Sequence, residues 1–144
     1  MNAGLTLPLS AEMLIPHRAP IRLIDRLVQF ENFSGLVESV VRDDNLFLKQ
    51  NGELERCAMV ELIAQSFAAV KGYGDLIQGK PIGKGFLVAV KEMHFSGNAR
   101  KGDVLHIAIE PGGETGDFAL GEGKIKRGED VIAAGSITVW IPRK

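Results

Sequence analysis

Between Cys57 and Val70 the chain reads Cys57-Ala58-Met59-Val60-Glu61-Leu62-Ile63-Ala64-Gln65-Ser66-Phe67-Ala68-Ala69-Val70, apolar throughout except at Glu61, Gln65 and Ser66. The length of the run and its lack of period-two alternation predict a helix, not a strand. Ala58, Ala64, Ala68 and Ala69 are strong helix formers, and Gly72 or Gly74 is expected to supply the stop. A helix that is apolar on every side must be buried on every side. The rest of the fold therefore has to be a layer able to surround it.

The flanking sequence supplies that layer as strands. Ile21 to Phe30 and Gly35 to Val41, on either side of Asn32-Phe33-Ser34-Gly35, predict a first strand pair. A turn at Asn51-Gly52 precedes the helix. After it, Phe86 to Phe95, Val104 to Ile109, Phe118 to Lys126 and Val131 to Ile141 are predicted strands. Turns are expected at Ser96-Gly97-Asn98, Pro111-Gly112-Gly113 and Arg127-Gly128-Glu129-Asp130. Leu105, Ile107 and Ile109 alternate with Val104, His106 and Ala108, as a sheet with one buried face requires. Short turns make neighbouring strands antiparallel. The expectation is an α+β fold in which one antiparallel sheet curls around one helix. The uncovered side of the helix, or a sheet edge, then calls for a partner, so a dimer is expected.

Composition narrows the function. With 144 residues the chain is read as one domain spanning 1–144, large enough to bury roughly 70% of its unfolded surface. Seventeen basic against eighteen acidic residues leave no net field for a polyanion, which disfavours a general nucleic-acid binder. One cysteine excludes an internal disulfide and a Cys-rich zinc site; with three histidines at no metal-ligand spacing, neither metal nor other cofactor is expected. Met1 to Pro16 lacks a basic targeting pattern, and no apolar run has the length of a membrane span, so a cytoplasmic protein is expected. Glycine is in excess, seventeen residues or about 12% against an average of about 7%, which points to many tight turns.

Glu61 is the most informative residue. A carboxylate in an apolar helix must be paired or hydrogen-bonded, because burying a bare charge is costly, and such carboxylates concentrate at functional sites. A purely structural Glu satisfied by a neighbouring arginine is the alternative. Gln65, one turn on and on the same face, is placed to bond either the carboxylate or a ligand. Cys57 opens the helix, where the dipole favours negative charge, although free cysteine ordinarily serves as a small buried hydrophobe. Gln65 and Cys57 are the candidate substrate-binding residues. His17, between Pro16 and Pro20, reads as a structural or surface residue, His94 as a strand-end residue and His106 as solvent-facing. The stretch Gly79-Lys80-Pro81-Ile82-Gly83-Lys84-Gly85 lacks the spacing and the following Ser or Thr of a phosphate loop. Lys80 and Lys84, with Arg100 and Lys101, form either a modest basic rim or an ordinary solvated surface.

Leu14-Ile15-Pro16-His17-Arg18-Ala19-Pro20-Ile21-Arg22-Leu23-Ile24-Asp25-Arg26 resembles the N-terminal signature of the β-hydroxyacyl-acyl carrier protein dehydratases. Val60-Glu61-Leu62-Ile63-Ala64-Gln65 resembles their central-helix element. Val90-Lys91-Glu92-Met93-His94-Phe95, followed by Lys101-Gly102-Asp103, is similar to a later strand and turn. The resemblance implies a hotdog fold, a dimer with acyl tunnels at its interface, and a place in fatty acid or polyene biosynthesis. It also implies a histidine that takes the α-proton of a 3-hydroxyacyl thioester and a helix carboxylate of the other subunit, matched by Glu61, that handles the leaving hydroxyl.

Two departures bear on activity. The family's histidine falls at Phe47, and its helix-start Pro-Gly falls on Glu55-Arg56. The base would then be His17 or His94. A divergent, aryl-polyene-associated branch resembles this chain in its Pro-His start and Glu-(apolar)-(apolar)-Gln helix. The leading expectation is a dehydratase acting on 3-hydroxyacyl chains borne by acyl carrier protein or coenzyme A, with Glu61 and His17 catalytic. A hotdog thioesterase using Glu61 alone and a non-catalytic acyl- or carrier-binding subunit are the alternatives.

Overall fold

The structure, a computed structural model, describes residues 5–142. The first four residues of the Met1–Pro16 stretch and the last two of the expected domain lie outside it. In chain order the elements are β1 (Leu9–Ser10), a 3-10 turn (Ala11–Met13), β2 (Arg26–Glu31), β3 (Ser34–Val40), α1 (Arg56–Ile77), β4 (Phe86–Phe95), β5 (Val104–Thr115), β6 (Phe118–Arg127) and β7 (Asp130–Trp140). The seven strands form one sheet in the order β1-β2-β3-β5-β6-β7-β4, antiparallel at every step. The sheet wraps α1, which touches β2 through β6. Met59, Leu62 and Ile63 of α1 are buried with Val37, Leu105, Ile107, Ile109 and Ile125 of the sheet. Each such side chain contributes about 1.5–3 kcal/mol through burial. No helix among the described residues is long and apolar enough to cross a membrane.

The helix runs past both glycines expected to end it. A Cβ on Gly72 would lie 2.9 Å from the Leu14 carbonyl oxygen, and one on Gly74 would collide with the Phe33 ring. These glycines admit neighbours; they do not break the helix. The stop comes at Gln78-Gly79, where Gly79 has φ +76 and the Gly79 and Lys80 N–H groups bond the Leu76 and Asp75 carbonyls. Such a left-handed glycine closes a helix by satisfying its last carbonyls.

Other boundaries shift for equally local reasons. The first long strand begins at Arg26, not Ile21, because the main chain at Ile21 and Leu23 bonds Gln65 of the helix, and the chain joins β3 only from the Asp25 N–H, which bonds the Glu38 carbonyl. Asn32 and Phe33 both have positive φ and make a two-residue hairpin turn. Phe33 holds this unusual conformation with its ring against Gly74 and edge-on to Phe30, 5.6 Å between centroids. Pro111-Gly112-Gly113 is an irregularity inside β5, and the chain reverses after Thr115.

The helix is not buried all round. Val60, Glu61, Ala64, Ala68, Lys71 and Asp75 form a half-buried stripe along one face. β4 is a sheet edge, with Phe86, Leu87, Val88 and Val90 exposed. These are the two uncovered surfaces that the sequence made candidates for a partner.

Candidate active site

The segment from Leu14 to Leu23 crosses the half-buried side of α1 and is tied down by hydrogen bonds. Arg18 Nη1 donates to the Ile15 and His17 carbonyls, both at 2.9 Å, so the arginine of the Pro-His-Arg string braces the loop that carries the histidine. Gln65 makes the principal tie. Its Oε1 accepts from the Leu23 N–H at 2.8 Å, and its Nε2 donates to the Ile21 carbonyl at 3.0 Å and to Glu61 Oε2 at 2.7 Å. A side-chain amide nitrogen has two hydrogens, and here both are engaged. Gln65 is also 1% exposed, one of two buried polar residues of this helix with its neighbour Ser66. Glu61 is only half-buried, its side chain 34% exposed, contrary to the burial its apolar neighbours suggest.

His17 completes the cluster. Its Nε2 lies 3.9 Å from Glu61 Oε2, and its Nδ1 is buried without a hydrogen-bond partner among the described residues. Both side chains face a cavity of about 440 Å³. Its floor is Ala64, Ala68 and Gly72 of α1, and its far wall is formed by Phe86, Leu87, Val139 and Ile141. The helix residues lining it run from Glu61 to Asp75, so the channel extends along about 21 Å of helix. At its distal end Lys71 Nζ pairs with Asp75 at 3.4 Å. The chemistry is thus a carboxylate and an imidazole side by side at one end of a channel with largely apolar walls.

Other candidate residues fall elsewhere. Cys57 is exposed on the first turn of α1 and does not line the cavity, so it is neither a buried hydrophobe nor in reach of the channel. His94 is exposed on β4, and His106 sits on β5 with Nε2 3.3 Å from Glu38. Phe47, where the dehydratase signature has its histidine, packs against the core, and its carbonyl accepts from the Glu55 N–H. Lys84 lines the channel and Lys80 the more open space beside it. Arg100 does not join them: it bonds Glu53 Oε2 at 3.2 Å and the Asn51 carbonyl at 3.1 Å, ahead of α1. Among the described residues no group of three or more His, Cys, Asp or Glu is arranged to hold a metal.

The family model for ApeP-like dehydratases, described as ApeP dehydratase, matches residues 9–144. The chain belongs to the ApeP-like dehydratase family. This dehydratase is 29% identical over 136 residues to the 3-hydroxyacyl-[acyl-carrier-protein] dehydratase FabZ of Natranaerobius thermophilus, covering 91% of this chain and 94% of that one. Among solved structures, the dehydratase heterocomplex ApeI:P of Xenorhabdus doucetiae contains a chain that superposes with a TM-score of 0.86 at 22% identity, covering 96% and 93% of the two chains. A Streptococcus mutans protein bound to acetyl-CoA superposes at 0.64 with 17% identity, covering 89% and 98%. The likeness to these structures is one of fold: the ApeP-like dehydratase is an α+β hotdog protein.

The string from Leu14 to Arg26 and the Glu61–Gln65 helix element, distant in sequence, meet at this site. The tie between them was not readable from either alone. Gln65 four residues after a helix glutamate signals one partner, but nothing in the sequence says that the other two are backbone groups of the crossing segment.

Proposed function

We propose that this dehydratase removes water from 3-hydroxyacyl thioesters carried by acyl carrier protein or coenzyme A, using His17 and Glu61 of the same chain. The observation that carries the reading is the placement of both groups, 3.9 Å apart, at one end of a channel with apolar walls. In the elimination, the His17 imidazole takes the C2 proton, the C2–H electrons form the C2=C3 bond, and the C3–O bond breaks. The departing oxygen takes a proton from the Glu61 carboxyl and leaves as water. His17 then returns its proton to Glu61, which is near enough for exchange through a small shift or one water. Gln65 is a positioning residue: it fixes Glu61 Oε2 and the segment that carries His17 in one hydrogen-bonded unit.

The FabZ relative, whose name specifies an acyl-carrier-protein substrate, supports the carrier-protein form of this reading. A single cytoplasmic hotdog domain that dimerises through β4 completes the reading. Phe86 and Leu87 belong both to that exposed edge and to the channel wall, so a subunit paired there closes the open side of the channel. Unpaired edges invite such association. The Xenorhabdus structure, a dehydratase heterocomplex, contains a chain of this fold, which supports assembly with another subunit.

The test is conversion of a 3-hydroxyacyl thioester, on acyl carrier protein and on coenzyme A in parallel, to the trans-2-enoyl product. Wild-type protein is expected to form the enoyl thioester, and Glu61→Gln to reduce turnover by at least about 10²-fold. Release of free thiol in place of enoyl product would establish the thioesterase alternative. Carrier binding without either product would establish the non-catalytic one.

A further inference from the structure

Beyond the main channel lies a second cavity of about 270 Å³, between Phe33, Val70, Pro111 and the β6 residues Ala119 and Leu120. Two residues line both spaces, Phe67 and Lys71. Lys71 is a flexible chain whose ammonium pairs with Asp75. Phe67 is a planar ring, 7% exposed, and forms the apolar part of the partition.

The position of that ring is set from the sheet side. The buried row of β6 is Ala119, Gly121, Gly123 and Ile125, so the two central places carry no side chain. A Cβ on Gly123 would stand 2.5 Å from Ile63 Cγ2, and one on Gly121 would collide with Cδ1 and Cε1 of Phe67. Phe67 therefore occupies a notch that only glycine leaves open, while Ala119, the next inward residue, borders the second cavity. Six residues separate Phe67 from Glu61, about 9 Å along the helix. A linear acyl chain whose reactive end is at Glu61 reaches the ring after a short run.

We propose that Phe67 is a gate that sets acyl-chain length, and that the cavity behind it is an extension site for the apolar end of a longer chain. The proposal rests on the thioester reading given above and assigns the channel its specificity. Enlarging or shrinking the gate moves the limit in opposite directions: Phe67→Ala joins the two spaces, whereas the methyl of Gly121→Ala drives the ring out of its notch toward the channel.

The experiment is equilibrium binding of S-alkyl pantetheine thioethers, which cannot react, over a series of chain lengths. For wild type, affinity is expected to rise about fourfold per added methylene until the chain meets Phe67, and then to level off or fall. Phe67→Ala should carry the rise several carbons further, Phe67→Leu, a milder change that keeps the core filled, should fall between, and Gly121→Ala should end it sooner. The same limiting length in wild type and in the folded Phe67→Leu variant would overturn the gate, as would an affinity that rises without limit in wild type. Failure of every thioether to bind wild type would overturn both the gate and the thioester reading. A limit that moves as described, in proteins that never dehydrate a 3-hydroxyacyl thioester, would support the gate and remove the dehydratase assignment alone.

Discussion

Gln65 shows how one side chain joins packing to chemistry. Three hydrogen bonds converge on it, two of them to the main chain of the crossing segment at Ile21 and Leu23. Gln65→Leu conserves most of the volume but strands the buried Leu23 N–H, a loss of about 1–3 kcal/mol, and releases the part-buried Ile21 carbonyl. The expected outcome is a lower denaturation midpoint together with lower turnover, because Glu61 and the loop bearing His17 lose their common tie. Chemical denaturation and the dehydration assay, run on the same preparation, check both effects. An unchanged midpoint would show that the three bonds are not maintained in solution. At this scale the sequence was only partly legible. Glu61 stood out as a charge in an apolar run, but its half-exposed position depends on a channel that lies between the helix and residues twenty or more positions away. His17 carried no catalytic signal of its own; its placement depends on Arg18, which braces its loop from within, and on Gln65, which ties the crossing segment to the helix.

At the scale of elements, glycine is where sequence and structure differ most instructively. The excess does include turn residues, such as Gly79 and Gly128 with positive φ. It also includes Gly72, Gly74, Gly121 and Gly123, which are places where another part of the protein occupies the space of a side chain. A local reading assigns glycine to turns and helix ends, and so it ended the helix too early; the close approach of Leu14 to Gly72 is a long-range contact that no window reveals. Gly72→Ala weighs the two effects against each other. Helix propensity favours alanine by about 1 kcal/mol, but the methyl would press on a backbone oxygen 2.9 Å away, and overpacking of this kind costs about 1–3 kcal/mol. The expected outcome is net destabilisation, read as a lower melting temperature; stabilisation would mean that the crossing segment yields easily.

The β2–β3–β5 ladder makes a separate prediction about pH. Arg26, Glu38 and His106 are cross-strand neighbours, with Arg26 Nε 2.9 Å and His106 Nε2 3.3 Å from the Glu38 carboxylate. The hydrogen bond from Arg26, aided by its charge and by His106 and opposed by burial, holds the Glu38 carboxyl below its ordinary value of 4.5. The unfolded chain then takes up the proton more readily than the folded one, so this contribution is complete above the ordinary value and is lost as pH falls through the lower folded one. Glu38→Gln should therefore melt below wild type at neutral pH, with the difference narrowing in acid. A difference constant across that range would remove the linkage.

For the whole molecule, the element order, the antiparallel sheet and the central helix were all legible, because alternation in Val104 to Ile109 and the unbroken apolar run around Glu61 each admit few alternatives. What the sequence did not show is which face of the helix the sheet leaves uncovered. That face carries the channel, and it puts His17 and Glu61 of one chain together without help from a second subunit. The arrangement expected from the resemblance instead divides a histidine and a carboxylate between subunits. The two arrangements part in mixed assemblies. His17→Ala and Glu61→Gln chains, each inactive, would be co-expressed with different tags and the mixed oligomer isolated by sequential capture. A site built within one chain predicts an active wild type and no recovery of 3-hydroxyacyl thioester dehydration in the mixed assembly; turnover restored by mixing, or retained by the His17→Ala protein alone, would contradict it.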